Sequence, residues 1–211
     1  MKKVLFNLVV IIVGITIITS CGTKNPAESA KKTIENLKAG IKGETTASAK
    51  YAAYAAKAKE EGFMQIAILF QATSKAEEIH AQNHTKVLTK LGVTMEAIKP
   101  EFEVKTTKEN LEDALKGENY EVATMYPDFL KAADEEKVAD AKKSFTWAMD
   151  TEKKHAALYQ TALDALTAND LSKMSMVYYM CSTCGNTFEA AKVEEKCGFC
   201  QTPKDKFIEI K

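Results

Sequence analysis

A single pattern, written twice, leaves this chain few ways to fold. Glu44 is followed by Glu77-x-x-His80; Glu118 and Glu121 are followed by Glu152-x-x-His155. The two copies keep step. Thr33 corresponds to Thr107, and Gly43-Glu44 to Gly117-Glu118, at an offset of 74 residues; Phe70, Glu77 and His80 correspond to Phe145, Glu152 and His155 at an offset of 75. Residues three apart share one face of a helix, so each Glu-x-x-His, and Glu118 with Glu121, presents two donors together. Around them lie Ala47, Tyr51, Ile66, Phe70, Ala114, Met125, Phe145 and Trp147. Carboxylates on an apolar inward face are costly unless paired or metal-bound. Any one of these residues alone reads equally well as a solvated surface charge. Seven donors on four helices, in register across a repeat, describe a two-metal site inside a bundle.

Local punctuation places the helices. Thr33 opens the first, which runs to about Glu61 with Gly62 as its stop. The second runs from 63 to about 91 and closes at Gly92. Residues 93–106 contain Pro100 and little periodicity, and are long enough to cross the bundle. The third helix covers about 107–133 and the fourth about 136–168, followed by a linker over 169–176. Short, long and short connections give an all-α, ferritin-like four-helix bundle over 33–170. The remaining segment, 176–211, is too small for a sizeable core and relies on a metal.

That segment carries Cys181-x-x-Cys184 and Cys197-x-x-Cys200, two knuckles twelve residues apart. The spacing is a strong signal for one tetrahedral all-sulfur metal site, with disulfide pairing as the ordinary alternative. It does not separate structural zinc from redox iron; the carboxylate site beside it favours iron. Tyr178, Tyr179, Phe188, Phe199 and Phe207 supply aromatic shielding. Within the bundle, Tyr51 lies two turns from Glu44 and Tyr126 five residues beyond Glu121, positions for phenols that hydrogen-bond near the metals or that serve as core tyrosines. His84, four after His80, reads as a helix-surface residue or one that supports the ligands from behind, and Glu60, Glu61 and Glu78 as solvated.

The N-terminus differs from the rest. Met1-Lys2-Lys3 precedes an apolar run from Val4 to Ile18, then Ile18-Thr19-Ser20-Cys21. This reads as an export signal over 1–20, and the small residue before Cys21 resembles the lipobox of bacterial lipoproteins. Cys21 is then the lipidated residue and 21–32 a tether, placing the body in the cell envelope, on the extracytoplasmic side of a bacterial membrane; an uncleaved anchor, simple secretion or a misread signal in a cytoplasmic protein are the alternatives. The formal net charge of zero gives no electrostatic case for nucleic acid.

Over 33–209 these residues resemble the rubrerythrin family, which joins a ferritin-like di-iron domain to a rubredoxin-like domain. The family's iron-binding pattern falls on Glu44, Glu77 with His80, Glu118 with Glu121, and Glu152 with His155. Met125-Tyr126-Pro127 matches its third-helix turn, Tyr51 its first-helix tyrosine, and Cys181, Cys184, Cys197 and Cys200 its four-cysteine iron centre. The resemblance implies a peroxidase that reduces hydrogen peroxide at the di-iron centre with electrons from the thiolate iron, in a head-to-tail homodimer where one subunit's thiolate domain sits near its partner's di-iron site. It further implies that His80 and Glu121 alternate as ligands of one iron, and that Tyr51 and Tyr126 orient peroxide or proton donors. Two departures stand out: Cys197-Gly198 replaces the usual Cys-Pro, and the export signal leaves the electron donor open. A ferroxidase and a structural zinc-ribbon lipoprotein are the rival readings.

Overall fold

The computed structural model describes residues 26–211; the expected export signal over 1–20 and the expected lipidation at Cys21 lie outside them. A four-residue helix α1 (Pro26–Ser29) precedes α2 (Lys31–Glu60), α3 (Met64–Lys90), α4 (Thr107–Tyr120), α5 (Tyr126–Glu135) and α6 (Ala139–Thr167). Glu121–Met125, between α4 and α5, is a π-helical turn. Strands β1 (Tyr178–Cys181), β2 (Thr187–Glu189) and β3 (Phe207–Ile210) form an antiparallel sheet in the order β2-β1-β3. No helix among the described residues is long and apolar enough to cross a membrane.

The repeat governs the joints. Each hairpin turn ends its first helix the same way: Phe63 N–H reaches Ala58 O and Val138 N–H reaches Ala133 O, both at 2.8 Å. Gly62 takes the positive φ this closure needs, at 86°, and Lys137 takes it in the other copy, at 59°. Lys137 is exposed, and a side chain in this region costs about 1 kcal/mol. Lys137→Gly is therefore expected to raise the melting temperature by about 2–4 °C, read by differential scanning calorimetry.

The turns also cap the opposite hairpin. Glu61 accepts from the Thr107 N–H at 2.9 Å, and Glu136 from the Thr33 and Lys32 N–H groups at 2.7 and 3.0 Å. The sequence expectation that Thr33 opens the first helix is corrected here. A carboxylate from the far turn satisfies the orphan donors, so the helix begins two residues earlier, at Lys31. Glu61 is likewise a cap rather than a solvated charge. Thr106 and Glu109 close a capping box at the start of α4.

The π turn explains the change of offset. Between Glu118 and Ala133 the second hairpin holds one residue more than the first. Pro127 lacks an N–H and crowds the carbonyl four residues back, so the helix widens just before it. The Tyr126 N–H bonds to Glu121 O, five residues back. Glu121 and Tyr126 thus stand one π turn apart, closer to alignment than α-helical spacing suggests.

Two apolar clusters sit at either end of the carboxylates. One contains Tyr51, Leu69, Phe70, Leu111 and Tyr159, the other Leu37, Leu88, Tyr126, Phe129 and Phe145. Tyr178 and Met180 of β1, both almost fully buried, belong to the first cluster. Tyr178 therefore packs into the bundle instead of shielding the cysteines, whose own cluster gathers Tyr179, Phe188, Phe199, Phe207 and Trp147.

Candidate metal centres

Four helices bring six donors to one place. Glu44 comes from α2, Glu77 and His80 from α3, Glu118 from α4, Glu152 and His155 from α6, and all are at most 1% exposed. They form two groups, Glu44–Glu77–His80–Glu152 and Glu77–Glu118–Glu152–His155, whose donor atoms lie within 4.8 Å of one another. Glu77 and Glu152 belong to both, the position of carboxylates shared by two cations.

The hydrogen bonding shows why cations are needed. Thr187 Oγ1 donates to Gly185 O at 3.1 Å, so it accepts from His155 Nε2–H at 2.9 Å. That fixes the tautomer and leaves a lone pair on Nδ1, which faces Glu77 Oε1 and Glu152 Oε2, each at 3.0 Å. Acceptors facing acceptors in a dry interior repel unless a positive ion lies between them. Glu44 Oε2, Glu77 Oε1, Glu118 Oε2, both Glu152 oxygens and His155 Nδ1 are buried without a hydrogen-bond partner. Electrostatics agree. Burial, then the charge of Glu77, raises Glu44 to about 8 and lifts Glu118 and Glu152 well above the usual carboxylate range. Burial would raise Glu77 too; only positive charge on His155 and His80, placed where the cations would lie, holds it low.

The tyrosines spend their protons on the carboxylates. Tyr51 donates to Glu118 Oε1 at 2.8 Å and Tyr126 donates to Glu44 Oε1. Because Tyr126 donates there, its oxygen accepts from His84 Nε2–H at 3.1 Å, and His84 Nδ1 accepts from Ser144 at 2.7 Å. His84 is fully buried, not a surface residue, and burial followed by the charge of His80 lowers it to about 3, keeping it neutral. Tyr159 was not singled out by sequence, although it lies one turn beyond His155. It bonds Thr73 at 2.6 Å and packs edge-on to Tyr51.

Glu121 stands apart. It opens the π turn, is half-buried, and belongs to neither group of donors. Burial, then Glu44, Glu118 and Glu152, raises its carboxyl well above the usual range.

The four cysteines are free, with Cys181–Cys200 sulfurs 3.3 Å apart and Cys184–Cys197 sulfurs 3.4 Å apart. These are edges of a compact tetrahedron and exceed a disulfide bond of about 2.05 Å. Gly185, after the first knuckle, has φ +83° and lies against His80: a Cβ there would be 2.4 Å from Nε2 and 3.2 Å from Ala76 O. Gly198 needs no such freedom, since its φ is not positive. Asn83 Nδ2 donates to Thr183 O at 2.8 Å. The thiolate module therefore meets the two-metal site of its own chain, at His80 through Gly185 and at His155 through Thr187. No sequence signal marked Gly185 or Thr187 as neighbours of the histidines.

The comparisons agree with this architecture. The family model described as Rubrerythrin matches residues 35–163. Nigerythrin of Nitratidesulfovibrio vulgaris is 39% identical over 178 residues, covering 83% of this chain and 85% of that one. Rubrerythrin-2 of Clostridium acetobutylicum is 32% identical over 179 residues, covering 83% and 95%. The solved structure of nigerythrin in its fully reduced, all-ferrous state superposes with a TM-score of 0.75 at 36% identity, covering 84% of this chain and 86% of that one. The chain belongs to the rubrerythrin family, as a di-iron oxidoreductase with two irons in a ferritin-like bundle and a third among four cysteines.

Proposed function

We propose that the protein is a peroxidase that reduces hydrogen peroxide to water, using electrons delivered through the four-cysteine iron. The observation that carries this reading is the direct seating of the thiolate module on both histidines of the bundle site. A protein that only oxidises and stores iron has no use for an electron donor at that distance.

When bound, the iron pair supplies the two electrons that reduction of one peroxide to two waters consumes. The chain's residues do the rest. Glu44, Glu77, Glu118, Glu152, His80 and His155 hold the pair, and Tyr51 and Tyr126 orient the two carboxylates that are not shared. They act as positioning residues, since their hydroxyl protons are already committed to Glu118 and Glu44. His155 is tethered by Thr187, whereas His80 Nε2 has no hydrogen-bond partner. The untethered histidine is the one suited to exchange with Glu121 as a ligand, and Glu121 waits on a widened turn within reach of the charges of Glu44, Glu118 and Glu152. Exclusion of water by the two apolar clusters strengthens every charge interaction inside.

The export reading places this activity outside the cytoplasm, anchored at Cys21, in defence against oxidative stress. The electron donor is then a quinol-linked or small-carrier system. A head-to-tail homodimer is compatible with the fold, because exchanging modules between two copies reproduces the same contacts.

An anaerobic stopped-flow experiment tests the activity. Fully reduced, iron-loaded protein mixed with hydrogen peroxide is expected to regain thiolate-iron visible absorbance rapidly, and to turn over with an external donor. If the thiolate iron stays reduced while the bundle irons oxidise, the reading gives way to a ferroxidase.

A further inference from the structure

Lys154 lies between Glu152 and His155 in sequence yet serves a different partner. Its Nζ reaches Asn186 Oδ1 at 2.6 Å and lies 4.6 and 4.9 Å from the ring centres of Phe188 and Phe199. Asn186 is 1% exposed and donates from Nδ2 to Cys197 Sγ at 3.4 Å. The orientation of this amide is fixed by chemistry. An ammonium only donates, so it takes the carbonyl oxygen; a thiolate sulfur accepts, so it takes the NH2. An amide whose oxygen is bound by a cation is polarised and becomes a stronger donor at its nitrogen. Sulfur, buried amide and half-buried ammonium form one line from the thiolate site to α6.

Adding an electron to iron held by four thiolates adds a negative charge that spreads onto the sulfurs. Hydrogen bonds to those sulfurs and nearby positive charge favour the reduced form. We propose that Asn186 and Lys154 are positioning residues that raise the reduction potential of the thiolate iron, through a charge-assisted hydrogen bond to Cys197. The step concerned is a one-electron reduction of ferric to ferrous iron with no proton transferred. It depends on iron at the four cysteines and is independent of which oxidant the bundle uses.

The test is a spectroelectrochemical titration of the full chain loaded with iron, followed at the thiolate-to-iron absorption. Asn186→Leu keeps the bulk and removes the donor. It is expected to shift the reduced-to-oxidised ratio about tenfold toward the oxidised form, equivalent to about 59 mV for one electron. Lys154→Met is expected to move in the same direction by a smaller amount, and Lys154→Arg to restore most of the wild-type value. The double variant should shift less than the sum of the two single variants, because the lysine acts through the amide. Melting curves of the same proteins report any structural role separately. Unchanged potentials in both Asn186→Leu and Lys154→Met, with only a lowered melting temperature, would reduce the line to a docking contact and overturn the proposal. If Asn186→Leu does not hold iron, Lys154→Met against Lys154→Arg decides alone: equal potentials in the two overturn it.

Discussion

Stripped of metal, the protein is expected to melt roughly 10 °C lower at pH 8 than at pH 5. The cause is the crowd of carboxylates at the bundle centre. Glu44 has a folded value of about 8 against an ordinary 4.5. A group raised in this way contributes stability that is whole below pH 4.5 and is lost as the pH climbs through 8. One pH unit corresponds to about 1.4 kcal/mol, so Glu44 alone represents about 4 kcal/mol across this window. Glu118, Glu121 and Glu152 are raised by burial and by the charges of neighbouring carboxylates, Glu77 and Glu44 among them, and pull the same way. His84 opposes them: burial lowers it from 6.5 to about 3, so its share is lost as the pH falls below 6.5. That is about 2 kcal/mol by pH 5, one group against four. With the site metallated, the cations offset the carboxylate charge, and only the smaller, opposite slope of His84 should remain, so the protein melts slightly higher at pH 8 than at pH 5. Calorimetric melts of metal-free and metal-loaded protein at the two pH values check this. A metal-free protein that melts higher at pH 8 would show that the carboxylates are not the dominant buried charge.

Replacing Gly185 by alanine is expected to slow electron return to the bundle by at least tenfold, and up to about a hundredfold, while leaving the thiolate-iron spectrum in place. The new Cβ would need to occupy a point 2.4 Å from His80 Nε2, and the backbone there has φ +83°. The positive φ alone costs about 1–3 kcal/mol for a residue with a side chain. Ala76 O, at 3.2 Å, closes the other direction, so neither the imidazole nor the helix backbone can yield without moving the module. Rapid mixing of the reduced variant with peroxide separates the two quantities. The spectrum reports the knuckle, and its rate of return reports the contact. An intact spectrum that returns at the wild-type rate would mean that electrons do not pass through this contact.

The bundle was largely legible in the chain because its information is local. Glu-x-x-His spacing depends only on helical pitch, and Gly62 and Gly92 mark their turns by backbone chemistry. The cap on α2 was misread because Thr33 is a good local cap, while the actual acceptor, Glu136, is 103 residues away. The π turn left a trace that was not interpreted: the offset lengthens from 74 to 75 between Glu118 and Phe145, and a helix can absorb one added residue only by bulging. Of the two roles the sequence left to His84, helix surface or support behind a ligand, the structure shows the second; spacing could not choose between them because its partners, Ser144 and Tyr126, come from two other helices. The roles of Gly185, Asn186 and Thr187 had no sequence signal at all. They depend on how a small sheet docks on a bundle, and docking has no period.

Because Tyr178 and Met180 are part of the bundle's own apolar cluster, the module is not an appended bead. A metal that binds only the folded form adds its binding free energy to the stability of everything that folds with it. Iron held by Cys181, Cys184, Cys197 and Cys200 therefore supports the helices that hold the other two irons, and those irons in turn support the cysteine knuckles. The three metals form one cooperative assembly, and depletion of iron should empty and loosen the protein as a unit, leaving few molecules that retain one centre without the other.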